Sequence, residues 1–164
     1  MKKLKRASKF IYFLITLSFF VGVNLYCSNL IVNKVSNGWA SGQSFSNNLV
    51  DFIYVKNTGA AFSIMQNSTN FLIILSSIAI LLMIYYIIKN IDSLFMKEVF
   101  CISLLMAGIL GNLYERVFFG YVRDFFDLTF MNFPVFNISD VFINVGVFAI
   151  IVLILLTKKP IKLI

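Results

Sequence analysis

Four long apolar runs, separated by polar segments, constrain the fold of this chain more than any other feature. They cover residues 10–32, 71–88, 99–119 and 141–156. A helix needs about 20 predominantly apolar residues to cross the hydrocarbon core of a bilayer. Hydrophobic residues make up 60% of the sequence, which excludes an ordinary soluble domain. We therefore predict an all-α membrane protein: one integral membrane domain over residues 1–164, with four transmembrane helices.

The distribution of basic residues predicts the orientation of these helices. Ten of the 14 Lys and Arg residues lie in residues 1–9, 89–97 and 157–164. An even number of spans places those three segments on one side of the membrane, and the positive-inside rule makes that side the cytoplasm. We therefore expect a multi-pass membrane protein with both termini in the cytoplasm. The loops 33–70 and 120–140 would then lie outside.

The net charge of +7 is compatible with two kinds of partner. A basic protein can bind nucleic acid, but most of this charge lies in the segments that set the topology. Attraction to anionic lipid accounts for the same residues. We therefore expect membrane lipid as a partner, and no nucleic acid.

The first apolar run also resembles a cleavable signal peptide of a bacterial lipoprotein. It follows a basic segment and ends near Leu25-Tyr26-Cys27. Such cleavage sites need small residues directly before the cysteine, and Tyr26 is large. We interpret the run as an uncleaved first helix, because three further spans follow it.

The long loop 33–70 is predicted to form a small extracytoplasmic, β-containing platform on the membrane surface. Residues 49–55 (LVDFIYV) are rich in β-branched and aromatic residues, which favours a strand. Trp and Tyr at this level suit the membrane interface. The aromatic residues of the loop are Trp39, Phe45, Phe52, Tyr54 and Phe62. In the shorter loop 120–140, Gly120 is expected to end the third helix.

The absence of histidine excludes several catalytic mechanisms. Ser-His and Cys-His nucleophile pairs are impossible, and so is the H-E-x-x-H zinc site. Cys27 and Cys101 fall within predicted helices, where small apolar core residues are expected. A Ser-Lys pair remains open, since Lys34 and Lys56 lie in the outer loop. We expect no metal and no cofactor.

Two aspartates, Asp124 and Asp140, lie in the short stretch between the third and fourth runs. Carboxylates next to a bilayer are costly and usually have a function or a partner. Two carboxyls in a poorly hydrated site share a proton, and such a pair can activate water and protonate a carbonyl oxygen. Purely structural alternatives remain open: Asp140 can cap a helix, and Asp124 can pair with Arg123 or Arg116.

Three sequence blocks, in this order, carry a resemblance to a known family. They are NTGAAFS (57–63), GNLYERVFFGYVRDFFD (111–127) and FNISD (136–140). On a four-span chain of this size they resemble lipoprotein signal peptidase, also called signal peptidase II. The resemblance implies an aspartic endopeptidase whose catalytic residues are Asp124 and Asp140. The other matching positions, which it places at the substrate site, are Asn57, Gly59, Ala60, Gly111, Asn112, Arg116 and Asn137.

The resemblance also implies the substrate. Enzymes of this family remove signal peptides from lipid-modified prolipoproteins, cutting N-terminal to the diacylglyceryl-cysteine. Such an enzyme needs neither metal nor cofactor, and we expect it to act as a monomer. For Arg116, two roles stay open: holding a substrate carbonyl or lipid head group, and extending to the membrane interface. The three asparagines are expected to bind the peptide, orient the acids or cap helices.

The chain departs from the family pattern at three positions. Ser139 replaces the usual Ala in the FNISD block. In the first helix, Asn24 and Ser28 stand where the family usually has an Asp followed four residues later by a Lys. An ionic interaction is therefore lost, or replaced by a hydrogen bond.

A non-enzymatic membrane protein, such as a small transporter or an assembly factor, is the main alternative from another function class. A transporter places ionisable groups near the bilayer midplane. The four apolar runs here are nearly free of such groups, which disfavours this alternative.

Overall fold

A computed structural model of the chain describes residues 2–36, 49–60 and 65–157. In chain order its elements are α1 (Lys2–Ser36), β1 (Val50–Asn57), α2 (Thr69–Asn90), α3 (Met96–Phe119), β2 (Val122–Leu128) and α4 (Ile138–Thr157). All four helices are long and apolar enough to cross a membrane. Four such helices with a small sheet confirm the predicted fold class. The predictions for Trp39, Phe45 and Phe62 concern positions outside the described residues.

Each helix contains one of the predicted apolar runs and continues a few residues beyond it into polar sequence. At the start of α1 the reason is a set of contacts with the turn between α2 and α3. Lys9 Nζ donates to the carbonyl oxygens of Ile91 (3.1 Å), Asp92 (3.0 Å) and Leu94 (2.6 Å), and Arg6 forms an ion pair with Asp92 at 3.0 Å. Cations at the C-terminal end of a helix satisfy its free carbonyl groups and interact well with its dipole.

Helix α3 lies at the centre of the bundle and packs against the other three helices. Small residues allow a close approach to α4. A Cβ added at Gly108 would lie 2.5 Å from the carbonyl oxygen of Ser139, and one at Gly146 would lie 2.8 Å from Leu105 Cβ. Without a hydrophobic driving force between helices in lipid, such close packing contributes much of the association energy.

The two strands, which are separated in the chain by α2 and α3, form a two-stranded antiparallel sheet at the end of the bundle where α1 and α3 finish. Gly120 ends α3 with a φ of 80°, a left-handed conformation that glycine adopts without strain. Strand β2 follows at once, and its register pairs Asp124 with Val55 and Val122 with Asn57. Residues 120–140 were predicted as a loop, which was wrong for β2, because its charged residues obscure the strand pattern.

Candidate active site

Asp124 and Asp140 line the same cavity, of about 930 Å³, at the sheet end of the bundle. Asp124 lies in β2 and only 2% of it is exposed. Asp140 lies in the first turn of α4 and is partly buried. The two acids come from different elements, and the fold brings both to one cavity.

All four carboxylate oxygens of the two acids accept a hydrogen bond from an amide. For Asp124, Oδ1 accepts from Asn137 Nδ2 at 2.7 Å and Oδ2 accepts from Asn57 Nδ2 at 2.9 Å. For Asp140, Oδ1 accepts from Asn112 Nδ2 at 2.9 Å and Oδ2 accepts from the backbone N–H of Asn137 at 3.1 Å. Asn137 contacts both acids and therefore bridges them. Within the described residues, the link between the carboxyls runs through these amides, without a direct hydrogen bond.

The oxygen of each asparagine amide is engaged elsewhere, so that its NH2 group must face an acid. Asn57 Oδ1 accepts from the backbone N–H of Gly59 at 2.9 Å, and Asn137 Oδ1 accepts from that of Asp140 at 3.1 Å. Asn112 Oδ1 accepts from Asn137 Nδ2 at 3.1 Å. Backbone donors cannot reverse their polarity, and they fix the orientation of the network. Of the roles left open for these asparagines, the geometry favours orienting the acids.

Helix α4 begins with a reciprocal capping arrangement between Asn137 and Asp140. The Asn137 side chain accepts a hydrogen bond from the backbone N–H of Asp140, and the Asp140 side chain accepts one from the backbone N–H of Asn137. This is a capping box, and it satisfies two backbone donors that the helix leaves free. Capping uses only one oxygen of Asp140. Because the other oxygen faces Asn112 and the residue lines the cavity, a capping role alone does not explain its placement.

Of the two structural pairings left open for Asp124, the one with Arg123 is wrong, because Arg123 binds Glu115. The guanidinium donates to Glu115 Oε1 from Nη2 at 2.8 Å and from Nε at 3.1 Å. The backbone N–H of Arg123 donates to Glu115 Oε2 at 2.6 Å. Both side chains are buried. Sequence reasoning missed this bridge, since nothing in the spacing links a helix residue to a strand residue.

Arg116 is buried at the edge of the same cavity and contacts carbonyl groups. Nη2 donates to the carbonyl oxygen of Gly59 at 2.8 Å, and Nη1 donates to that of Asn112 at 3.4 Å. Its Nε is buried and has no hydrogen-bond partner among the residues that the structure describes. An unsatisfied buried donor costs about 1–3 kcal/mol. Arg116 as a residue lines the cavity, which makes its guanidinium a candidate contact for a bound molecule.

The surroundings of Asp124 change its acidity. Burial raises the pKa of its carboxyl from 3.8 to about 7, the hydrogen bond from Asn57 opposes this rise, and the negative charge of Asp140 adds to it. A carboxyl with a pKa near 7 exchanges protons readily at neutral pH, as a catalytic acid or base must.

The residues considered for other mechanisms lie as follows. Lys56 lines the cavity and is exposed, with its Nζ 4.9 Å from the centre of the Tyr121 ring. Ser63, in the block that follows Lys56, lies outside the described residues. Cys27 and Cys101 are free thiols in α1 and α3, and Cys101 is buried.

Comparisons with known proteins agree with this arrangement. The family model described as signal peptidase (SPase) II matches residues 8–156. Lipoprotein signal peptidase of Enterococcus faecalis is 34% identical over 152 residues, 93% of this chain and 92% of that protein. Lipoprotein signal peptidase of Caldicellulosiruptor bescii is 41% identical over 120 residues, 68% of this chain and 77% of that protein.

Solved structures agree with the sequence comparisons. A bacterial membrane enzyme determined by the in meso method at 2.3 Å resolution superposes with a TM-score of 0.74. It is 29% identical in sequence, and the match covers 93% of both chains. A second bacterial membrane enzyme, at 1.9 Å resolution, gives a TM-score of 0.71 at 29% identity, covering 87% of this chain and 92% of that one. This chain is a multi-pass membrane protein that belongs to the signal peptidase II family.

Proposed function

We propose that the chain is an aspartic endopeptidase that removes signal peptides from lipid-modified prolipoproteins, cutting N-terminal to the diacylglyceryl-cysteine. The observation that carries the proposal is the pair Asp124 and Asp140 in one cavity, each held by amide donors. The relatives named lipoprotein signal peptidase support the choice of substrate.

The chemistry follows from the two acids. One carboxylate takes a proton from a water molecule, and the water oxygen attacks the scissile carbonyl carbon. The other carboxyl donates its proton to the carbonyl oxygen, after which a proton reaches the leaving amine and the C–N bond breaks. The asparagine network holds both acids in place during these transfers, and no nucleophilic side chain is needed.

Arg116 and Gly59 are proposed to act together at the substrate site. The carbonyl of Gly59 holds the Arg116 guanidinium at the edge of the cavity, where this cation is proposed to donate to a substrate carbonyl oxygen. Gly59 therefore supports the site through Arg116. The apolar walls of the cavity include Leu72, Ile109 and Val141, which suit the lipid and side chains of a membrane-anchored substrate.

The lipid requirement gives the test of this function. Purified protein should cleave a prolipoprotein that carries the diacylglyceryl group, and should leave the unmodified precursor intact. Mass spectrometry of the products should place the lipid-bearing cysteine at the new N-terminus. Equal cleavage of the unmodified precursor, or a cut elsewhere, would contradict the proposed substrate.

The membrane orientation is also part of the proposal. The positive-inside rule puts both termini in the cytoplasm, and the cavity then opens on the outer side of the bacterial inner membrane. A cysteine introduced at position 42 should react with a membrane-impermeant maleimide added from outside, while one at position 162 should not. The reverse pattern would place the acids on the wrong side for exported substrates.

The pH dependence of cleavage should report the acid pair. We assign the acid role to Asp124, whose pKa is raised to about 7. Raising the pH through this value removes the proton that the acid role needs, so kcat/KM should fall on the alkaline side. The free energy of unfolding should depend on pH in the same direction. The stabilising contribution of the neutral Asp124 carboxyl is fully present below pH 3.8 and is lost as the pH rises through about 7. Asn57→Ala removes a hydrogen bond that lowers this pKa, so the alkaline limb should move to higher pH. A limb that moved to lower pH would contradict this assignment.

A further inference from the structure

Asn24 of α1 is fully buried in the bundle and touches the residue before Asp140. Only 2% of Asn24 is exposed, and its Nδ2 donates to Ser139 Oγ at 2.7 Å. Its Oδ1 accepts from Ser28 Oγ at 3.3 Å, one turn further along α1. Both ends of the amide are therefore engaged, and the side chain is held in one direction.

Three helices meet at this contact. A Cβ at Gly111 of α3 would clash with both Asn24 Nδ2 and Ser139 Oγ, so only glycine leaves room for the hydrogen bond. The next residue of α3 is Asn112, which donates to Asp140 Oδ1. The first turn of α4 is thus bounded by α3 on one side and by Asn24 on the other.

The energetics favour a contact that persists. A buried amide or hydroxyl without a partner costs about 1–3 kcal/mol, so the hydrogen bond between Asn24 and Ser139 should persist. Asn24 and Ser139 are also two of the positions at which this chain departs from the family pattern, and in the structure these two departures bind each other. The hydrogen bond between Ser28 and Asn24 takes the place of the usual ionic interaction in the first helix, while Asn24 Nδ2 is turned to Ser139.

We propose that Asn24 is a positioning residue, which through Ser139 fixes the first turn of α4 and so directs the Asp140 carboxyl toward Asn112. This inference rests on the proposed function. Asn24 does not reach the acids itself, and its effect on catalysis passes through the backbone of residues 139–140.

The test uses the purified full chain and three variants: Asn24→Ala, Ser139→Ala and the double variant that carries both. Each is compared with a control variant, Thr16→Val. Thr16 of α1 donates to Ser103 Oγ of α3 at 2.9 Å; this second interhelical hydrogen bond of α1 lies away from the acids and serves as the matched control. Asn24→Ala should lower kcat about 10- to 100-fold with little change in KM, as expected when a catalytic group is slightly misplaced. Ser139→Ala restores the residue that the family usually has, but in this chain it removes the hydroxyl that Asn24 binds, so it should give a similar loss. The double variant should lose little more. Thr16→Val should keep the kcat of the starting protein.

Melting temperatures and the Asp140→Asn variant separate the possible outcomes. A fall in melting temperature with kcat per folded molecule unchanged, for Asn24→Ala or for Ser139→Ala, would overturn the positioning role. If Asn24→Ala does not fold, the kcat of Ser139→Ala alone decides whether the positioning role holds. Suppose that the starting protein cleaves the substrate and that Asp140→Asn does not. Normal kcat in the Asn24 and Ser139 variants would then contradict this inference and leave the proposed function intact. A starting protein that cleaves no prolipoprotein would remove the proposed function and this inference together.

Discussion

Replacing either Asp124 or Asp140 by asparagine is expected to abolish cleavage, with kcat reduced by at least about 10³-fold. The two acids have separate proton-transfer roles, and an amide can neither take a proton from water nor donate one to a carbonyl oxygen at neutral pH. Both variants should still insert in the membrane, since Asn is close in size to Asp. The measurement is single-turnover cleavage of a lipid-modified prolipoprotein by purified variants of matched concentration.

Asp127→Asn is the matched control for these variants. Asp127 belongs to the same strand as Asp124, but it is paired across the sheet with Asp51 instead of facing the cavity residues. Like charges directly opposite in a sheet repel, so neutralising Asp127 should be harmless to folding. Near-normal turnover by folded Asp124→Asn or Asp140→Asn would contradict the acid-pair mechanism.

Breaking the buried bridge between Glu115 and Arg123 should have the largest effect on stability. Glu115→Gln, or Arg123→Met, leaves one buried charge without its partner, which costs about 3–5 kcal/mol. Since Arg123 precedes Asp124 in β2, loosening the strand should also reduce cleavage. Thermal unfolding in detergent and the cleavage assay measure the two effects.

The double variant Glu115→Gln with Arg123→Met provides the control. The amide introduced at position 115 keeps an oxygen that can accept the backbone N–H of residue 123, and no unpaired charge remains. Most of the stability should therefore return, because replacing a whole buried ion pair is often nearly neutral. If the double variant loses as much stability as the two single variants together, the ion pair is not the cause of their losses.

Much of the fold was readable from the sequence because membrane helices obey simple constraints. Apolar length predicted the four helices, and β-branched and aromatic residues predicted strand β1. The pattern did not predict β2. That strand is anchored by pairing with β1 and by the Glu115–Arg123 bridge, which are tertiary contacts with no signal in the local sequence.

The candidate site was partly predictable for a different reason. The context of Asp124 and Asp140 singled out the acids, while the family resemblance indicated the three asparagines. What the sequence left open was the direction of each amide, and which basic residue binds which acid. The amide directions and the ion pairs depend on backbone donors, such as the N–H of Gly59, and on a chain path that brings residues 57, 112 and 137 together.

The most direct test of the account is one cleavage assay, with a metal chelator present, on the starting protein, Asp124→Asn, Lys56→Met and a Cys27→Ala/Cys101→Ala variant. Lys56 adjoins the NTGAAFS block and is the best candidate base for a Ser-Lys mechanism, but its Nζ lies over the Tyr121 ring. We expect cleavage by all of these proteins except Asp124→Asn. Loss of cleavage in Lys56→Met, together with retained cleavage in Asp124→Asn, would contradict the acid pair and favour a Ser-Lys protease.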